Sequence, residues 1–311
     1  MRVNHFGETN HTPNLHKRYD MKICGACEKE LPRDSFSGKQ WKLKKSVRRC
    51  KGCVTTGKEL VLFTKGRERS ADDECPICSR LLPIDDHRWG ISTCCMKIAC
   101  SGCIVAFAER GTFDGKCLFC RTSLAGGEEA QLARVLDRVK VNDPMGIHTL
   151  AVCYRDGRHG LAKDLPKAVE LFERAAKLGL KGAHFDLGVM FSQYNQTSSM
   201  VRALEHYEIA AKQGHVGARH NLGAYEVKSG NYGLALKHWM ISAKLGHAGS
   251  LFNVRTMYTD GLALKADYAE AMHGYHDSVI EMSSPERDLA EARRHDRGEC
   301  ACSLTLECKY S

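Results

Sequence analysis

The sequence predicts a multidomain protein in which small zinc-stabilised α+β fingers precede an all-α superhelical repeat solenoid. Three observations carry this expectation. Twelve of the sixteen cysteines fall between Cys24 and Cys120, most of them in C-x2-C pairs. From about residue 140 the chain repeats itself, with the related endings RAAKLG, IAAKQG and ISAKLG at 174–179, 209–214 and 241–246. Positive charge gathers at the front: residues 17–69 hold sixteen Lys or Arg against six Asp or Glu, in a chain of net charge +9.

No run approaches the roughly eighteen apolar residues of a membrane helix, so no membrane partner is expected. The opening MRVNHFGETNHTPNLHKRYD lacks the apolar core of a secretory signal. The expected compartment is therefore cytoplasmic or nuclear, where disulfides are rare. So many cysteines in a reducing compartment point to metal. Residues 1–19 are expected to be a disordered tail.

Residues 20–57 form the first candidate finger. Cys24-x2-Cys27 and Cys50-x2-Cys53 supply two knuckles, each presenting two sulfurs to one tetrahedral ion. Four thiolates close the shell and leave no open position for chemistry. The intervening EKELPRDSFSGKQWKLKKSVRR is too short and polar to fold alone, so metal binding would supply stability, with Phe36 and Trp41 as a small core. Lys42, Lys44, Lys45, Arg48, Arg49 and Lys51 make a basic patch that suits phosphates, and so nucleic acid; a solvated basic face is the alternative. Through CGACEKELPRDSFSGKQW and RRCKGC this segment resembles Stc-like zinc-binding domains. That resemblance implies zinc and a partner surface but no reaction. Residues 58–70 are expected to be a basic, mobile linker.

Residues 71–124 hold eight thiols: Cys75-x2-Cys78, Cys94-Cys95, Cys100-x2-Cys103 and Cys117-x2-Cys120. Cys94 and Cys95 cannot finish a site alone, so the knuckles must interleave. Cys75, Cys78, Cys100 and Cys103 would take one ion, and Cys94, Cys95, Cys117 and Cys120 the other. With the first finger this gives three zinc ions. Adjacent side chains of an extended strand point opposite ways, so Cys94 and Cys95 reach one ion only if the backbone kinks. His87, or a shifted pairing that uses one of the two thiols, is the fallback.

The stretch ECPICSRLLPIDDHRWGISTCCMKIACSGCIVAFAERGTFDGKCLFCR resembles a RING finger of the all-cysteine, cross-braced kind. The resemblance implies an E3 ubiquitin-protein ligase that recruits a ubiquitin-conjugating enzyme and acts by orientation, with no catalytic residue of its own. It assigns partner-binding roles to Ile77 in the first knuckle, Phe107 on the central helix, Leu118 where many active members carry proline, and Arg121 after the last ligand. The competing reading is that Ile77 and Phe107 only cover the zinc loops and that Arg121 is solvated.

ARVLDRVKVND, within a linker helix at 125–142, carries Leu132, Val135, Leu136 and Val139 as a sticky side for the first repeat. Residues 143–283 then hold four helical repeats. Apolar residues at three- and four-residue spacing, such as Ala168, Leu171, Phe172, Ala175 and Ala176, mark amphipathic helices. Gly188 and Gly223 are expected to face the Ala-Ala pairs and let the axes approach, and glycines close the helices as left-handed caps. The pattern resembles Sel-1-like repeats, which implies a scaffold for a protein client. Its departures are Val254-Arg255 in place of Leu-Gly in the fourth repeat and the irregular turn SQYNQTSS in the second. His184, His206, His220, His238 and His273 lack ligand spacing and read as surface or groove residues; Cys153 reads as core. Residues 284–311 are expected to be a tail, helical at first and then irregular, with CKYS a poor prenylation signal.

The resulting expectation is a RING adaptor that joins a conjugating enzyme to a client. Its rivals are a non-enzymatic scaffold and a nucleic-acid-associated factor working through the basic finger.

Overall fold

The computed structural model describes residues 21–110, 114–193 and 197–296. The tail expected at 1–19, part of the SQYNQTSS turn and the end of the chain with Cys300, Cys302 and Cys308 lie outside the described residues. The chain forms two compact units that divide after Thr64.

In the front unit β1 (Met21–Ile23) and β2 (Glu30–Pro32) form an antiparallel hairpin around the first knuckle. α1 (Gly38–Lys42), α2 (Lys51–Thr55) and α3 (Val61–Thr64) follow. Ser37 caps α1 by accepting from Gln40 N. Phe36 is buried with its ring centroid 5.5 Å from that of Trp41, and Lys22 and Arg33 lie over the indole. Gly25 is where two segments meet: a Cβ there would sit 2.6 Å from the carbonyl oxygens of Lys45 and Ser46.

The rear unit begins with the cysteine-rich module. β3 (Trp89–Ile91) and β4 (Ile98–Cys100) pair antiparallel and lead into α4 (Ser101–Glu109). Cys75, Leu82, Ala99 and Cys100 make its small core, with Trp89, Ile98 and Phe119 packed against them.

α5 (Glu128–Lys140) joins this module to the repeats. Val135 is fully buried, Leu132 and Val139 half-buried, and Leu136 exposed, so the sticky side is narrower than the sequence suggests. The repeats pair α6 (Pro144–Asp156) with α7 (Leu165–Lys177), α8 (Lys181–Ser192) with α9 (Thr197–Lys212), α10 (Val216–Lys228) with α11 (Tyr232–Lys244), and α12 (Ala248–Thr259) with α13 (Lys265–Met282). Asp143 and Asp164 start α6 and α7 as N-caps, each followed by proline in the first turn. Gly179, Gly214 and Gly246 end α7, α9 and α11 with φ of +92°, +84° and +97°. The N–H after each glycine donates to a carbonyl in the last helical turn (Leu180 to Ala175, His215 to Ala210, His247 to Ser242), which is the Schellman stop.

Equivalent positions fill equivalent space. Ala168, Ala203, Ala235 and Ala271 are all fully buried, as are Leu187, Leu222 and Val254. Val254 thus takes the core place of leucine, while Arg255 beside it is exposed. Gly188 and Gly223 do not face the Ala-Ala pairs. A Cβ on Gly188 would lie 2.5 Å from the Tyr207 ring, and one on Gly223 would lie 2.5 Å from Cδ1 of Trp239. The small residue receives the aromatic ring of the next helix, because a flat ring fills a groove that two small residues would leave empty.

Two segments differ from expectation. The stretch from Lys65 to Ser70, read as part of a mobile linker, is packed on the repeats. A Cβ at Gly66 would lie 2.7 Å from Gly214 N, the buried Arg219 donates to Lys65 O, and Lys181 Nζ donates to Ser70 Oγ at 3.1 Å. The segment after Met282, read as a tail that begins helical, does so as α14 (Pro285–Asp296), but it lies along α4. Both departures share one feature. Long-range carbonyl acceptors hold arginines that look solvated in the sequence.

Candidate metal centres

Among the described residues the thiols gather in three groups: Cys24, Cys27, Cys50 and Cys53; Cys75, Cys78, Cys100 and Cys103; and Cys94, Cys95, Cys117 and Cys120. Within each group the sulfurs all lie within 4.8 Å of one another. Cys78 and Cys100 are 3.9 Å apart, Cys95 and Cys117 3.8 Å, and Cys94 and Cys120 3.3 Å. A disulfide needs about 2.05 Å, whereas a tetrahedral ion with bonds of about 2.3 Å sets its sulfurs about 3.8 Å apart. The spacing therefore fits coordination. Each of the three groups could hold a metal ion.

Three of the knuckles share one backbone design, while Cys50-x2-Cys53 and Cys100-x2-Cys103 open α2 and α4. Glu28, Ser79 and Arg121, each following a C-x2-C pair, have φ of 59°, 52° and 61°. Their N–H groups donate back to the carbonyls of Cys24, Cys75 and Cys117. Met96 has the same left-handed conformation, φ 55°, and its N–H donates to Ser92 O at 2.8 Å. Ser92 to Met96 is thus a knuckle with serine in the first cysteine's place. That turn is the kink that brings Cys94 and Cys95 to one group. His87 is outside it and faces Glu291 of α14 at 3.9 Å.

Backbone donors tune one thiol of each group. Burial raises the Cys24 thiol, but N–H groups of Cys50, Ala26 and Cys27 outweigh it and bring it down to about 6. Cys75, opposed by burial but helped by the N–H groups of Cys100, Cys78 and Ile77, comes down to about 7. Cys117 falls to about 6 through N–H donors of Cys120 and Phe119 and the Ser92 hydroxyl, again against burial. A thiolate is the form that binds metal, so each group holds one sulfur already prepared to bind.

Ile77 is exposed at the tip of its knuckle, 48% accessible. Phe107 and Leu118 are half-buried. Arg121 is exposed and its guanidinium donates to Asp114 Oδ2 at 2.5 Å. In the front unit Lys42, Lys45 and Lys51 are exposed, and Lys44 and Arg49 half-buried. Arg48 leaves the expected basic patch. It is buried, donates to Ile23 O at 3.4 Å and to Leu43 O, and ties the hairpin to the following loop.

The repeats hold histidines the sequence reading placed on the surface or passed over. His238 is buried. His184 and His206 face each other, Nδ1 to Nδ1, at 2.9 Å. His215 and His247, which follow the stop glycines, are N-caps: their Nδ1 atoms accept from Ala218 N and Ser250 N at 3.2 and 3.1 Å. The recurring G-H-x-G, at 214–217 and 246–249, was the available signal. Burial lowers His206, His215 and His247 to about 4, helped at His206 and His247 by neighbouring positive groups and opposed at His215 by Asp186. Cys153 is buried, and burial raises its thiol.

Fold and site together define a helical-repeat protein-interaction scaffold that carries three four-cysteine groups able to hold metal. Residues 144–180 and 182–215 match the Sel1 repeat family, so α6 to α9 with their turns are Sel1 repeats. No curated protein matches the chain. Similar solved structures include c5321, a protective antigen of uropathogenic Escherichia coli with an SLR fold (18% identity, 64% of this chain and 45% of that one, TM-score 0.41). The present chain thus spans less than half the length of that protein. Others are a Sel1 repeat protein from Oxalobacter formigenes (19%, 58% and 71%, TM-score 0.44) and the immunity protein Pa5087 from Pseudomonas aeruginosa (18%, 64% and 70%, TM-score 0.36). No helix among the described residues is long and apolar enough to cross a membrane.

Proposed function

We propose that the ions are zinc, three per chain, and that the protein is a RING-type adaptor in the cytoplasm or nucleus that brings a ubiquitin-conjugating enzyme to a client held by the repeats. The observation that carries this reading is the interleaving of two four-cysteine groups across one β-hairpin and helix, with Ile77 exposed at the knuckle tip. Four thiolates with no open position suit a structural ion. The chemistry then lies in holding the conjugating enzyme's thioester in a reactive pose. Ile77, Phe107 and Leu118 would supply apolar contact, and Arg121, released from Asp114, a forked donor.

Self-ubiquitination with a panel of conjugating enzymes tests this. Activity is expected that drops at least tenfold in Ile77→Ala and Arg121→Ala while the zinc content stays at three. A folded, zinc-loaded protein silent with the whole panel refutes ligase activity. The second reading, a non-enzymatic scaffold, is favoured by the Arg121–Asp114 pair, which keeps the guanidinium occupied.

A further inference from the structure

The C-terminal helix reaches a metal centre. α14 approaches α4 so closely that a Cβ on Gly102, between the ligands Cys100 and Cys103, would lie 2.7 Å from Arg287 N. Arg287 itself is 1% exposed. Its guanidinium donates to Leu81 O at 2.6 Å, to Arg80 O at 3.4 Å and to Met282 O. It also donates to Cys78 Sγ at 3.4 Å and hydrogen-bonds the Cys100 thiol. A single arginine far downstream in sequence, 209 residues after Cys78, thus touches two of the four sulfurs of one group. Around it α14 is fastened by Arg294 to His87 O, by Arg88 to Glu291 at 3.0 Å and by Arg293 to Glu109.

We propose that Arg287 is an outer-shell residue of the Cys75–Cys78–Cys100–Cys103 centre and makes the C-terminal helix a metal-responsive clasp between the last repeat and the cysteine-rich module. Four thiolates around a divalent ion carry a net charge of −2. A buried guanidinium beside that cluster is compensated, whereas without the ion most of that negative charge is gone and it rests mainly on carbonyl dipoles. Metal binding and helix docking must therefore strengthen each other, and by linkage the coupling is the same in both directions. Cys78 and Cys100 hold the ion, and Arg287 acts through them as a positioning residue.

The inference rests on the metal reading above, and the test separates the two. Full-length protein loaded with zinc is titrated with a chelator, counting ions released, while amide exchange reports residues 285–296. In the wild type one release step should coincide with loss of protection across α14. In Arg287→Met one of the three ions should bind about 10–100-fold more weakly, as outer-shell changes do, with the other two unchanged; Arg287→Lys, which keeps the charge and the fold, should fall between. Release curves for both variants that match wild type, equal weakening of all three ions, or α14 protection indifferent to every release step would overturn the clasp alone. A folded wild type holding no zinc would overturn the metal reading, and the clasp with it.

Discussion

Replacing Gly223 by alanine puts the aromatic groove of the repeats to a quantitative test. In an ordinary helix this change stabilises by about 1 kcal/mol, because alanine loses less backbone entropy. Here the new methyl would lie 2.5 Å from Cδ1 of Trp239, about 1 Å inside normal carbon contact. The indole is 6% exposed, among Ala235, Ala243, Val254 and Met257. It is also tethered by Nε1 donating to His220 O at 3.1 Å. Overpacking a filled core costs about 1–3 kcal/mol, and losing the indole hydrogen bond about 1 kcal/mol more. The net expectation is a loss of about 1–3 kcal/mol. Gly233 in α11 is the control, since nothing lies within 4 Å of its would-be Cβ; Gly233→Ala should gain up to about 1 kcal/mol. Urea midpoints from far-UV circular dichroism should therefore move in opposite directions. Trp239→Phe removes the indole Nε1 and shrinks the ring, and should restore part of the loss in Gly223→Ala, as a double-mutant cycle reads out. A Gly223→Ala midpoint at or above wild type would refute the claim that the ring occupies the glycine's space.

Other outcomes follow from the same structure. His206, His215 and His247 have folded-state values near 4 against about 6.5 unfolded, so the unfolded chain binds more protons between those values. Stability is then complete above pH 6.5 and lost as pH falls toward 4, by up to about 3 kcal/mol each for the well-buried His215 and His247 and by less for His206, which solvent partly screens; His247→Asn, which keeps a cap acceptor, should flatten the melting temperature against pH, and an unchanged slope would count against it. Gly25→Ala forces the Lys45 and Ser46 carbonyls apart and should release one of the three proposed zinc ions on mild chelation, read by a colorimetric dye, with retention of all three the contrary result. Charge reversal at Lys42, Lys45 and Lys51 should abolish any salt-sensitive binding of nucleic acid, whereas Arg48→Met should unfold the finger; a gel-shift and a melt separate the two.

The parts legible in the sequence are those set by local spacing. C-x2-C fixes two sulfurs on one turn, so the division of twelve thiols into three sets of four was readable once Cys94 and Cys95 were seen to need partners. The helical stripe and the stop glycines were readable for the same reason, since helix period and left-handed caps depend on neighbours in the chain. Tertiary structure alone decided where Arg48, Arg219 and Arg287 go. Each looks like a solvated charge in sequence, and each is buried on backbone carbonyls 5 to 207 residues away. It also decided that Gly223 holds a tryptophan and that the segment after Met282 returns to the cysteine-rich module. The physical reason is that a carbonyl acceptor or a ring-shaped groove exists only after distant segments have met, and no local pattern records which residue will fill it.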